Sequence, residues 1–270
     1  MVPIISNFQT MHNPNYPDTT SPIVLKVYFD GANQFDFKFK APIGSTLDIY
    51  DGDGTMTQVG GNDAVEVTHT TSYPSGKTRT FYFYVEGDYA DITWINVLNQ
   101  SMISGDASGW GVMVNLILIA IGGTFIVCRI DGWDTLTSLV QVTMKDLLTR
   151  RGDISIFANA PLLGSLNIQG TGIYGDLSTL YQLPFSGVLV DRSVGVTFDA
   201  IQSFTVTARF WAYDCKWTST MVDNALISLA NGGTTTSEIF IAGNNAARTS
   251  ASDAAKATLE GAGCTVTVNE

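Results

Sequence analysis

The sequence predicts a mainly β protein, a small sandwich followed by a repetitive coil with a few helices at its C-terminal end. Three observations predict it. Only 14% of the 270 residues are charged, while Gly, Thr, Ser and Asn are plentiful, a balance that suits short strands and tight turns. From Ser21 to about Leu98, apolar residues alternate with polar ones at period two. Beyond that, strand-like segments recur at regular separations. A 45% hydrophobic composition leaves ample material for packed cores, in one large domain or two ordinary ones.

Taken in order, residues 1–20 form an extended arm. With Pro3, Pro14 and Pro17, Pro22 just beyond it and several Asn, it cannot bury much alone and is expected to order against a partner. In IVLKVYFD and then QFDFKFKAP, Phe35, Phe37 and Phe39 share one face and Asp36 and Lys38 the other. LDIYDGDGT enters a tight turn, VEVTHT makes a strand, YPSGK turns again, TRTFYFYVEG alternates aromatics, and ADITWINV closes the set. Short strands at this spacing predict an Ig-like β-sandwich over residues 21–98. LDIYDGDGT, VTHT and FYFYVEG resemble the polycystic-kidney-disease-type family of Ig-like domains, which carry a W-G-D-G-T turn, H-x-Y and a G-x-Y-x-V strand. Tyr50-Asp51 stands where that family has Trp-Gly, Gly52-Asp53-Gly54-Thr55 and His69 match, and the following Tyr is displaced to Tyr73.

In LNIQGTGIYGDLSTLYQLP, Leu166 and Ile168 face one way on a short strand, Gly170 and Gly172 turn the chain, Ile173 tucks back, and Leu177, Leu180 and Leu183 continue the lining. The pattern L-x-I-x-x-x-x-I-x-G-x-L-x-x-L resembles the leucine-rich repeat. A repeat needs neighbours to cover its buried face. Taking Leu116, Val140, Leu166, Val188, Phe210 and Ile239 as first inward residues gives separations of 24, 26, 22, 22 and 29, within the leucine-rich range. Gly170, Asp191 or Asp214 stands where the family's strand-ending asparagine belongs, so the copies are degenerate. The reading is a leucine-rich-repeat-like solenoid over residues 99–270, with strands such as 125–130 and 154–157 on the other side of the coil or between turns.

A C-terminal cap is expected from about residue 221. Thr220 is a plausible N-cap for a helix lined by Val222, Leu226 and Leu229 and ended by Gly232-Gly233; a second helix over 250–260 and a strand over 265–268 follow. Residues 221–270 resemble the cap of leucine-rich-repeat proteins from gut Bacteroidales and their phages, where V-D-x-x-L-x-x-L, a strand with G-x-N and a last L-x-x-x-G-x-x-V-T unit recur; Cys264 stands where the family often has Trp.

Composition narrows function. A net charge of −11 would repel a polyphosphate backbone, so neither nucleic acid nor an anionic membrane is an expected partner. The apolar stretch 111–127 holds Asn115, Thr124 and Gly122-Gly123 and is short for a span, so it reads as a buried strand pair, with no membrane insertion. The opening residues lack the basic and apolar regions of a secretory signal, which predicts a chain made and kept soluble. Cys128, Cys215 and Cys264 are too scattered for a zinc site or a disulfide framework and fit reduced, buried thiols.

No metalloprotease, serine-hydrolase, P-loop or dinucleotide motif is present, so no enzyme is expected and no cofactor; only converging carboxylates for glycoside hydrolysis stay open. Asp51, Asp53 and Asp63 invite calcium, but Met56 and Asn62 break the EF-hand pattern, and turn-stabilising carboxylates are the simpler reading. His69 reads as a packed strand residue, and Arg151-Gly152-Asp153 as a turn entering a strand rather than an adhesion motif. Trp211, Tyr213 and Trp217 are the candidate binding residues, an aromatic row for a sugar or a protein hot spot, or in part core. The resemblances imply a non-enzymatic virion structural protein of a bacteriophage, a capsid decoration or head or tail fibre component assembled in the host cytoplasm. The arm and sandwich would attach to other virion proteins, the chain would form a homo-oligomer, and the solenoid would face a host surface glycan or protein. The alternative is a leucine-rich-repeat adhesin on the bacterial cell surface.

Overall fold

The structure is a computed structural model, and it describes residues 23–29, 34–50, 56–62, 67–72, 79–98, 103–122, 125–235 and 237–270. The arm, Asp51, Asp53, Asp63, the Gly52–Thr55 turn and Tyr73 lie outside the described residues, as does the side chain of His69. In chain order the strands begin with β1 (Val24–Phe29), β2 (Gln34–Lys40), β3 (Thr46–Tyr50), β4 (Met56–Gly60), β5 (Val67–Ser72), β6 (Arg79–Gly87) and β7 (Trp94–Asn96). They continue with β8 (Ile103–Asp106), β9 (Leu118–Gly122), β10 (Phe125–Arg129), β11 (Gln141–Lys145), β12 (Arg150–Asp153), β13 (Ser165–Asn167), β14 (Gly172–Asp176), β15 (Phe185–Leu189), β16 (Gly195–Thr197) and β17 (Val206–Trp211). Helix α1 (Ser219–Asn231), β18 (Glu238–Ile241), helix α2 (Asp253–Gly261) and β19 (Thr265–Val268) complete the chain. Strands dominate.

Two sheets run the length of the described chain. One has the order β5-β2-β7-β9-β11-β13-β15-β17-β18-β19, the other β4-β3-β6-β1-β8-β10-β12-β14-β16. Both change character at one place. β7 is antiparallel to β2 and parallel to β9; β8 is antiparallel to β1 and parallel to β10. An alternating antiparallel part thus becomes a stack of parallel coils with no interruption of the hydrogen bonding. Of the row predicted on one face of β2, Phe37 and Phe39 are buried and the side chain of Phe35 lies outside the described residues; Leu47 and Ile49 of β3 are buried as well. They belong to one apolar cluster that reaches from Ile23 to Cys264.

In the stack, the inward column of the first sheet is Ile95, Ile119, Val142, Leu166, Val188, Phe210, Ile239 and Val266, in direct register. This register corrects Val140 as an inward residue and moves Leu116 out of the strand. Leu116 is buried ahead of β9, and Val140 is 40% exposed at the turn before β11. The carbonyls of Ile117 and Val140 receive the amides of the next coil; this sets them at the corner and leaves Ile119 and Val142 to point inward. Residues 125–129 lie in the second sheet, whereas 154–159 form a 3-10 turn, not a strand.

The apolar stretch 111–127 resolves into β9 and the start of β10, with Ile119, Ile121 and Ile126 buried. No helix among the described residues is long and apolar enough to cross a membrane. The three cysteines are free and buried.

The second sheet ends at β16, and α1 occupies the place of its next strand. Asn224 of α1 donates through Nδ2 to the carbonyls of Phe198 (3.3 Å) and Asp199 (3.0 Å), while Val222, Ala225, Leu226 and Leu229 are buried. The N-cap of α1 is Thr218 rather than Thr220, its Oγ1 accepting from the Met221 amide at 3.3 Å. Gly232 and Gly233 end the helix as expected, Gly233 with φ +69°. The second helix starts with a 3-10 turn over Ser250–Ser252 before α2, and β19 spans the predicted 265–268.

Candidate functional site

The coils close through a set of polar residues at one corner. Ser193 Oγ donates to the Ile168 carbonyl (2.6 Å) and accepts from the Thr171 amide (3.4 Å), both one coil back. One coil on, Cys215 Sγ donates to the Val190 carbonyl at 3.1 Å. One further, Asn245 Nδ2 donates to the Ala212 carbonyl (2.5 Å), and its Oδ1 accepts from the Trp217 amide (3.0 Å). Three different side chains therefore perform one task, satisfying buried backbone groups where the chain leaves each strand. Asp191 and Asp214 accept instead from amides of the following coil, Tyr213 and Asn244. Burial pushes the Cys215 thiol up to about 12, against the backbone amides of Ser193 and Arg192, and burial likewise raises Cys128. Neither is available as a thiolate at neutral pH.

The carboxylates at the opposite corner are also committed. Asp106, Asp153 and Asp176 end β8, β12 and β14, and each accepts from the amide two residues on, Ser108 (2.8 Å), Ser155 (2.9 Å) and Ser178 (2.9 Å). The repeated Asp-x-Ser opens a 3-10 turn each time. Asp153 is the acid of the Arg-Gly-Asp tripeptide, and Gly152 is buried against Ile130. That segment is the end of a strand entering a turn, the reverse of the expected order.

At the C-terminal end, Asp223 of α1 accepts from the Thr249 amide (3.0 Å), Thr249 Oγ1 (2.6 Å) and Ser252 Oγ (2.6 Å). Burial alone would raise this carboxyl, but the Ser252 and Thr249 bonds outweigh it and hold it below its ordinary range. Among the described residues no group of three or more His, Cys, Asp or Glu could hold a metal ion.

The three predicted aromatic residues separate. Trp217 is 2% exposed and belongs to the core, packed with Phe198 and Phe210; its Nε1 donates to the Val196 carbonyl at 2.7 Å, occupying the free edge of β16. It is not part of a binding row, because it follows the turn at Asp214, which sends the chain back inward. Trp211 and Tyr213 stay outside, on the solvent face of the parallel sheet. Phe240, which sequence reading passed over, joins them from β18 in register with Trp211. Tyr213 stacks on Phe240 with centroids 5.4 Å apart at 24°, and Trp211 meets Phe240 edge-on at 6.4 Å. Arg209 lies over the Trp211 ring at 5.5 Å and reaches Glu238 at 3.8 Å. The alternation of β17 places Arg209, Trp211 and Tyr213 on one face; only the pairing with β18 brings Phe240 to them.

Beneath this row Asp191 is buried, accepting from the Tyr213 amide (2.8 Å) and from Gln169 Nε2. Burial raises its carboxyl above the ordinary range, against those two bonds. The arrangement is a rigid aromatic face with a polar rim, suited to holding a ligand. No family model matches the chain, and no curated protein matches it.

Proposed function

We propose that this chain is a non-enzymatic structural protein of a bacteriophage particle, a capsid decoration or a head or tail fibre component. It works by attachment and by presenting a surface. In this reading residues 21–98 are an Ig-like sandwich and residues 99–270 a leucine-rich-repeat-like solenoid capped from about 221. The 22–29 residue spacing of the inward column and the corner bonds of Ser193, Cys215 and Asn245 support the second assignment. The resemblance of residues 221–270 supports the phage context, and that of LDIYDGDGT the Ig-like assignment.

One observation carries the functional class: Asp106, Asp153, Asp176 and Cys215 are tied to the backbone along the coils, while rings are left facing solvent on the parallel sheet. That is how a scaffold that binds is built. Attachment to other virion proteins falls to the arm and the antiparallel part, with copies related by the symmetry of the particle. The same outward ring row favours a second reading, an adhesin on a bacterial surface. Quantitative proteomics on density-purified particles and on washed envelopes of the same culture separates the two. A fixed ratio to the major capsid protein is the expected result; enrichment in envelopes with absence from particles would overturn the virion assignment and leave the adhesin.

A further inference from the structure

We propose that Tyr213 is the stacking platform of a subsite for a neutral pyranose unit of a glycan. The Tyr213 ring is fixed flat. A Cβ placed on Gly243 would lie 2.6 Å from Tyr213 Cε2 and 2.9 Å from Cζ, so the ring lies across the bare Gly243 main chain, with Phe240 beside it in near-parallel stacking. Gly243 has φ +74°, a conformation that by itself favours glycine. Beside these contacts Tyr213 keeps 38% of its surface exposed to solvent. A ring held by these neighbours has less rotamer freedom to lose when something settles on it.

The surroundings choose the ligand. The Asp214 carboxylate approaches the same point on Gly243, its Oδ1 accepting from the Asn244 amide at 2.8 Å. Asn244 itself is exposed. A carboxylate that accepts and a carboxamide that both donates and accepts are what sugar hydroxyls require at the border of a ring. The apolar CH face of a pyranose covers the ring itself. A nucleobase would bring phosphate toward Asp214 and Asp191 in a chain of net charge −11. A quaternary ammonium needs enclosing rings, and one open face offers it little. A protein hot spot sits in a desolvated pocket, whereas Tyr213 lies on an open sheet with charged and amide neighbours. One ring gives weak binding per site, so useful avidity comes from repeated units and repeated copies. The subsite does not depend on where the chain resides, particle or cell envelope.

The test uses the full chain with cellohexaose, maltohexaose and chitohexaose as probes and heparin as an anionic control, followed by saturation-transfer NMR and titration. At least one hexasaccharide is expected to bind at low-millimolar concentration, with transfer strongest at ring CH protons. Tyr213→Ala is expected to weaken it at least about tenfold, and Tyr213→Phe to retain most of it, with melting temperatures unchanged. Failure of all three sugars to bind, binding indifferent to Tyr213→Ala, or a preference for heparin would each overturn the subsite. Loss of the Tyr213→Ala chain from particles without any sugar binding would assign the ring to a protein contact instead.

Discussion

Asn245, Ser193 and Cys215 each bond backbone groups of a neighbouring coil at the same corner, Ser193 and Cys215 with shorter groups. Truncating Asn245 leaves the Ala212 carbonyl and the Trp217 amide buried without their partner. Asn245→Ala is expected to destabilise the chain by about 1–3 kcal/mol in urea melts. Cys215 gives a different readout. Buried, and raised to about 12, it is expected to resist thiol reagents in the native state and to react only as the chain unfolds.

Asp223 carries the clearest pH signature. Its folded carboxyl titrates below the unfolded value of about 3.9. The Thr249 and Ser252 bonds therefore contribute stability that is full above that value and is lost as pH falls through the lower, folded one. Asp223→Asn is expected to flatten the acid limb of the stability profile below about pH 4. An acid limb of unchanged slope would remove Asp223 from that role.

The strands of the first part were legible because alternation of Phe37 with Lys38 and of Leu47 with Asp48 admits one reading. In the stack the spacing was legible and the phase was not. Val140 and Val142 are chemically alike, and only the backbone bonds of the preceding coil decide which one faces inward. Asn245 falls in the G-x-N of the cap pattern, but Ser193 and Cys215 escaped sequence reading because Ser, Cys and Asn at one structural position share no pattern of side-chain type. Trp217 escaped it because Trp211, Tyr213 and Trp217 look like one row until the turn at Asp214 separates them. Phe240 was hidden by distance along the chain, since strands 29 residues apart place it beside Trp211. Trp217 tests the element that ends the second sheet. Trp217→Ala removes core volume and frees the Val196 carbonyl, and is expected to cost about 3–5 kcal/mol. Trp217→Phe keeps the packing and loses the edge bond, so it should cost distinctly less. The two losses can be compared by chemical denaturation.

Across the whole molecule, the two sheets and the single apolar cluster join what the sequence divides near residue 98. β7 and β8 each bond to an antiparallel neighbour on one side and a parallel one on the other. A cut there would expose the buried Ile95 and Val97 and both strand edges. The intact chain is expected to unfold in one calorimetric transition, with calorimetric and van't Hoff enthalpies in agreement. Two separate transitions would show that the junction does not couple the parts.

The same junction makes length an independent quantity. The antiparallel end joins the stack through β7 and β8, and the helix-covered end contacts only the last coils, so one coil of 22 to 24 residues between them can be inserted or deleted as a unit. Each such change would move the two ends apart or together by one strand spacing, about 4.8 Å, without altering either. The coils act as a ruler, with the Tyr213 face at a set number of graduations from the antiparallel end.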